Sequence, residues 1–261
     1  MRTPRSYYRV ASLALLVLFA ARHVSAAGAL PERFTARYLV RSHGMTVGMT
    51  EWRLAPSGPG RYRYDSRREP RGILALLRGD VIVEHSEGRR EPDDALRPLH
   101  YRYERSGGKK DRKLSIDFAW DTATAHIVAR GDRWRLALPE GTLDKLIYVL
   151  AIMRDLARGR ADLTYTIADG GKLKHYVFRR DGGERIETAL GTLQTVRLQR
   201  VHQIKTARTT TLWFAPSLHF LPVRIDHRDK KGTRVILDIE SLTGIARPEP
   251  SNAAATNGES D

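Results

Sequence analysis

The stretch Phe34-Thr35-Ala36-Arg37-Tyr38-Leu39-Val40 places Phe34, Ala36, Tyr38 and Val40 on one side of an extended backbone and Thr35 and Arg37 on the other. A period of two is the pattern of a strand with one buried face. The same alternation recurs outward from it, with Trp52 and Leu54, then Tyr62 and Tyr64, then Tyr101 and Tyr103. It continues through Leu114, Ile116 and Phe118 and through Trp134, Leu136 and Leu138. After residue 160 it resumes at 163–167, 175–178, 185–187, 192–201, 209–214, 223–227 and 235–239. Between the runs stand Ser57-Gly58-Pro59-Gly60, Ser106-Gly107-Gly108 and Asp169-Gly170-Gly171, residues suited to tight or positive-φ turns. About a dozen short strands at this spacing predict a mainly β single domain. Its antiparallel meander strands form a curved sheet or open barrel.

One segment breaks the period. Leu143, Leu146, Ile147, Leu150, Met153 and Ala157 recur at three and four, which predicts an amphipathic helix over 143–158. Thr142 is suited to cap its start, Asp144 to stabilise the positive end of its dipole, and Arg158-Gly159 to stop it. A shorter helical turn is expected at 72–77, where Ile73, Leu74, Leu76 and Leu77 crowd together as core or loop plug.

The first 27 residues read as a signal peptide. Arg2, Arg5 and Arg9 precede an apolar run at 10–21, and Ser25, Ala26 and Ala27 supply a small-residue cleavage site. At 12 residues the run falls short of the roughly 20 a spanning helix needs. The expected organisation is a signal peptide over 1–27, one β-rich domain over 28–246 and a disordered tail over 247–261. That tail is rich in Pro, Ala, Asn, Ser and Gly. A periplasmic address follows, with no membrane span in the mature chain. The chain has no cysteine, so it carries no lipid-bearing residue, no thiol nucleophile and no cysteine-ligated metal.

Losing the four arginines of the leader takes the formal charge from +15 to +11. Such a balance favours anionic partners, and export argues against nucleic acid. A compact basic cluster is expected at Lys109, Lys110, Arg112 and Lys113, on a hairpin tip.

Signals for chemistry are sparse. His85 and Glu87 alternate onto one strand face, with Asp93 and Asp94 in the following loop, but no third ligand completes a set, so neither metal nor cofactor is expected. No nucleophile elbow occurs, and Gly107-Gly108-Lys109-Lys110 joins two strands instead of opening a helix. A hydrolase would have to draw on Glu84, His85, Glu87 or Asp117.

The order of several short pieces resembles the exported bacterial family known as domain of unknown function 3108, from about Phe34 to Leu242. The pieces are Tyr38, Gly48, Glu84 with Ser86, Arg97-Pro98, Tyr101-Arg102-Tyr103, Asp117-Phe118 and Leu143-Asp144-Lys145 to Tyr148 through Leu156 in the expected helix. Tyr176, Phe178, Gly191-Thr192, Trp213-Phe214-Ala215 and Leu221-Pro222-Val223-Arg224-Ile225 complete the series. The resemblance implies a periplasmic, mainly antiparallel β protein and carries no catalytic residues.

Together these readings predict a non-enzymatic envelope protein that binds a lipid, lipoprotein or other amphipathic ligand in the concavity of its sheet. Trp52, Tyr64, Tyr101, Tyr103, Trp134, Ile147, Leu150 and Trp213 are the expected lining. The rival expectation is an interaction protein whose basic surface meets anionic envelope polymers. Oligomeric state and ligand identity stay open at this level.

Overall fold

A computed structural model describes residues 30–72, 75, 79–108, 111–202 and 207–246. The leader, most of the 72–77 turn, Lys109, Lys110 and the 247–261 tail lie outside the described residues. Fifteen strands form one sheet. The first half comprises β1 (Phe34–Ser42), β2 (Met45–Gly58), β3 (Arg61–Pro70), β4 (Val81–Arg90), β5 (Leu96–Ser106), β6 (Arg112–Ala119), β7 (Thr124–Ala129) and β8 (Asp132–Ala137). The second comprises β9 (Leu143–Asp144), β10 (Leu163–Ala168), β11 (Leu173–Thr188), β12 (Gly191–Val201), β13 (Thr209–Ala215), β14 (Leu221–Arg228) and β15 (Arg234–Thr243). A single helix, α1 (Tyr148–Ala157), separates β9 from β10.

Except for β8 and β9, strands consecutive in the chain are hydrogen-bonded to each other, and β1 also pairs with β15, so the two halves are joined at the middle of the sheet. The free edges are then β8 and β9. These two are consecutive in the chain, separated only by residues 138–142. A five-residue connection cannot span an open 15-stranded sheet, since an extended residue covers at most about 3.6 Å and neighbouring strands lie about 4.8 Å apart. The sheet therefore curls until its edges meet.

The meeting point is visible at Gly171, in the β10–β11 turn: a Cβ there would lie 2.1 Å from the indole Nε1 of Trp134 on β8. Its φ of +84° is itself a conformation that glycine adopts without strain. At Gly48 a Cβ would lie 2.6 Å from the Glu69 carbonyl oxygen, beside a register shift in the β1–β2 ladder. Only glycine lets the two backbones approach so closely.

The alternation read from sequence puts Phe34, Ala36, Tyr38, Trp52, Leu54, Tyr62 and Tyr64 inside. Leu114, Ile116 and Phe118 follow the same rule, as do Leu212 and Phe214. The helix fills part of this interior, with Val149, Leu150, Ala151, Ile152, Met153 and Leu156 all buried. A helix clothed in apolar residues nearly all round is one enclosed on nearly all sides.

The helix begins later than its periodicity suggests. Leu143 and Asp144 pair in parallel with Ile167 and Ala168, so the first two residues of the expected 143–158 span are strand. The Asp144 Oδ1 then accepts the backbone N–H groups of Leu146 and Ile147, at 2.8 and 3.0 Å, and the helix proper starts at Tyr148. Thr142 plays no capping part, since its hydroxyl donates to the Pro139 carbonyl at 2.7 Å. Residues 173–188 are one strand instead of two, carried past Asp181, Gly182 and Gly183 by a register shift between Arg180 and Gly183.

Candidate functional site

An aromatic seam runs down the inner face of β1, β2 and β3. The Trp52 ring centroid lies 4.8 Å from that of Tyr38 and 6.3 Å from that of Tyr64, which in turn lies 6.1 Å from Phe34. The Tyr38 hydroxyl donates to the Pro222 carbonyl at 2.9 Å. By contrast the Tyr64 hydroxyl, fully buried, meets no hydrogen-bond partner. Burial raises its pKa well above the usual tyrosine value, and Tyr38, Tyr148 and Glu84 add to that effect. A fully buried hydroxyl without a partner costs free energy, which makes this one notable.

Asp144 joins the helix to the barrel wall. Fully buried, it takes a 2.5 Å hydrogen bond from the Ser86 hydroxyl of β4 as well as the two backbone N–H groups. Burial pushes its pKa up to about 6, although all three hydrogen bonds act the other way. The hydroxyls of Tyr62 and Ser86 lie 3.5 Å apart, and Tyr101 donates to Glu84 Oε1 at 2.6 Å. These side chains extend inward because they occupy alternate positions of β3, β4 and β5.

Near the β2–β3 and β4–β5 turns lies a solvent-open cleft of about 530 Å³. Leu54, Leu96, Tyr62 and Leu150 supply its apolar wall, and Arg61 and Arg90 stand at its rim. Its size falls in the range of small-ligand sites. Arg90 is committed to structure: it donates to Asp94 at 2.7 Å and to the carbonyls of Leu30 and Pro31. Arg61 is exposed.

Across the barrel, β11 and β12 carry a second aromatic group. Tyr148 of the helix lies edge-on to Tyr176 at 5.4 Å and stacks on Phe178 at 6.0 Å. The Arg200 guanidinium lies over the Tyr176 ring, 3.3 Å from its centroid, and its Nε is buried without a partner. Burial raises the Tyr148 pKa; Tyr176 and Glu84 reinforce the rise and Arg200 opposes it.

Of the residues expected to line the concavity, Trp52, Tyr64, Tyr101, Ile147 and Leu150 are buried within the barrel. Tyr103 and Trp134 are partly buried against the same core. Trp213 is also partly buried against that core, though its strand parity differs. It sits between Leu212 and Phe214, which are both fully buried, and its indole N–H donates to Glu184 at 2.5 Å among exposed side chains. Strand parity therefore puts it on the outer face. The expected basic tip is represented by Arg112, whose guanidinium lies 5.8 Å from the Tyr103 ring, and by Lys113, paired with Glu104 at 2.9 Å.

The four candidate hydrolase groups do not converge. Glu84 points inward to Tyr101, whereas His85 lies between Asp65 at 2.5 Å and Glu87 at 3.0 Å on the outer face. Asp117 pairs with His100 at 2.8 Å, itself exposed. Among the described residues no group of three His, Cys, Asp or Glu is arranged to hold a metal ion. No helix among them is long and apolar enough to cross a membrane. Sequence reasoning passed over Ser86, Arg200 and His202 as functional candidates. Ordinary polar residues within alternating runs, they become notable only when the opposite wall is known.

A meandering sheet curled around one buried helix defines a barrel-like class. A structural relative, the crystal structure of a β-barrel-like protein of domain of unknown function DUF1849 from Brucella abortus, has a TM-score of 0.56 at 10% identity. The similarity covers 84% of this chain and 99% of that one. A Bacteroides fragilis protein of YmcC-like fold also matches, with a TM-score of 0.35 at 10% identity over 83% of this chain and 99% of that one. The chain belongs to the family described as "Protein of unknown function (DUF3108)", which matches residues 33–239. No curated protein matches it.

Proposed function

We propose that this protein is a non-enzymatic component of the bacterial cell envelope that shelters a lipid or other amphipathic ligand inside its curled sheet. The supporting observation is the cleft of about 530 Å³, whose apolar wall of Leu54, Leu96, Tyr62 and Leu150 reaches from the barrel mouth to the buried helix. Burying an acyl chain there stabilises the complex by about 25 cal/mol for each Å² of apolar surface removed from water. The separation of Glu84 from His85, Glu87 and Asp117 favours binding over hydrolysis. The arginine-led apolar leader with its small-residue site supports a periplasmic location.

The test is exchange of a fluorescent fatty acid into the purified protein. Saturable binding that Leu96→Asp weakens at least tenfold supports the reading, with circular dichroism confirming that the variant folds. Failure of the wild-type protein to bind any acyl chain overturns it.

A further inference from the structure

Arg200 and His202 stand two positions apart at the end of β12 and the residue just beyond it. Each carries a buried nitrogen with no hydrogen-bond partner, Nε of Arg200 and Nε2 of His202. Unpartnered buried nitrogens are rare, and two at adjacent same-face positions call for a common cause. Burial, with the neighbouring Arg200, Arg208 and His227, holds the His202 pKa below its usual value. His227, 2.8 Å from the Thr210 hydroxyl, feels Asp229 and Asp226 as well as Arg208 and Arg200. Among the described residues Arg200 forms no ion pair. The directly opposed residue on β11 is Phe178, so the guanidinium is held over an aromatic shelf of Tyr176, Phe178 and Tyr148.

We infer that Arg200 and His202 form a receptor for the anionic headgroup of an amphipathic ligand whose apolar part rests on the Tyr148–Tyr176–Phe178 shelf. The inference rests on the proposed function in needing an amphiphile within the barrel, and adds the sign of its head. A planar guanidinium presents donors in a fork that matches carboxylate or phosphate oxygens, and the adjoining rings suit a chain better than a hydrated ion.

The experiment compares a fluorescent C18 fatty acid, the alcohol of the same chain and the matching monoalkyl phosphate, on the full protein and on Arg200→Gln and His202→Gln. The acid or the phosphate binds at least tenfold more tightly than the alcohol, and the two anions decide between carboxylate and phosphate. Arg200→Gln removes that preference, so that acid, phosphate and alcohol bind within twofold of one another, and His202→Gln reduces it. Should acid, phosphate and alcohol bind alike, or the preference survive in both variants, the headgroup receptor is refuted while the sheltering function stands. Should none of the three bind, both readings fall. Thermal unfolding of both variants checks that each is folded, and His202→Gln carries the test should Arg200→Gln fail to fold.

Discussion

At Asp144 a carboxyl group is placed where ionisation costs stability. Its folded pKa of about 6 stands above the ordinary 3.8, so the native state binds more protons than the unfolded chain between those values. Stability from this group is therefore present in full below pH 4 and is lost as pH rises through 6. The shift corresponds to roughly 3 kcal/mol. Asp144→Asn keeps an oxygen for the Leu146 and Ile147 N–H groups while removing the charge. Urea unfolding of this variant is expected to lose the fall between pH 4 and 6 that the wild type shows. Ser86→Ala removes a donor to the charged form, and is expected to destabilise by about 1–3 kcal/mol at pH 7 and by less at pH 4.5. Asp144 was legible in the sequence as a helix-start acid, but its burial was not. Burial depends on β4 crossing opposite β9, a contact between residues 58 positions apart.

At the scale of elements, α1 is the piece on which packing turns. Leu150 is fully buried, and truncation to alanine removes its contacts within the barrel while widening the cleft it lines. A loss of about 2–5 kcal/mol is expected, read as a lower urea midpoint with the slope unchanged. The helix was recognisable because its three-and-four spacing contrasts with the strands around it. Its first turn was not, because Leu143 and Leu146 satisfy the helical period yet Leu143 sits in a parallel pair with Ile167. A similar limit explains Trp213. An isolated tryptophan in a strand gives no hint of which face is buried, and the parity is set by Leu212 and Phe214. Arg200 illustrates the opposite case: inward parity follows from Leu198, but its unpartnered nitrogen appears only once the facing wall is in place.

Over the whole molecule, the curled sheet follows from one topological fact: sequence-adjacent β8 and β9 occupy opposite edges. Gly171→Ala tests that closure, because the new methyl group would collide with the Trp134 ring and strain a positive-φ turn. A loss of about 1–3 kcal/mol is expected, with a change in tryptophan emission as the indole moves. The strand meander was legible from alternation and turn residues, whereas the pairing of β1 with β15 was not, since no local pattern specifies a partner some 200 residues away. Basic charge likewise overstated the free cationic surface. Arg37 pairs with Glu51, Arg63 with Asp65, Arg67 with Glu69 and Arg234 with Asp226 across or along the outer strands. What distinguishes the molecule is its interior, and native mass spectrometry of the protein isolated gently from envelope extract examines that interior most directly. A population heavier than the bare chain, releasing an amphipathic molecule on collisional activation, is the predicted result. A single mass equal to the bare polypeptide, unchanged after incubation with excess fatty acid, would contradict the account.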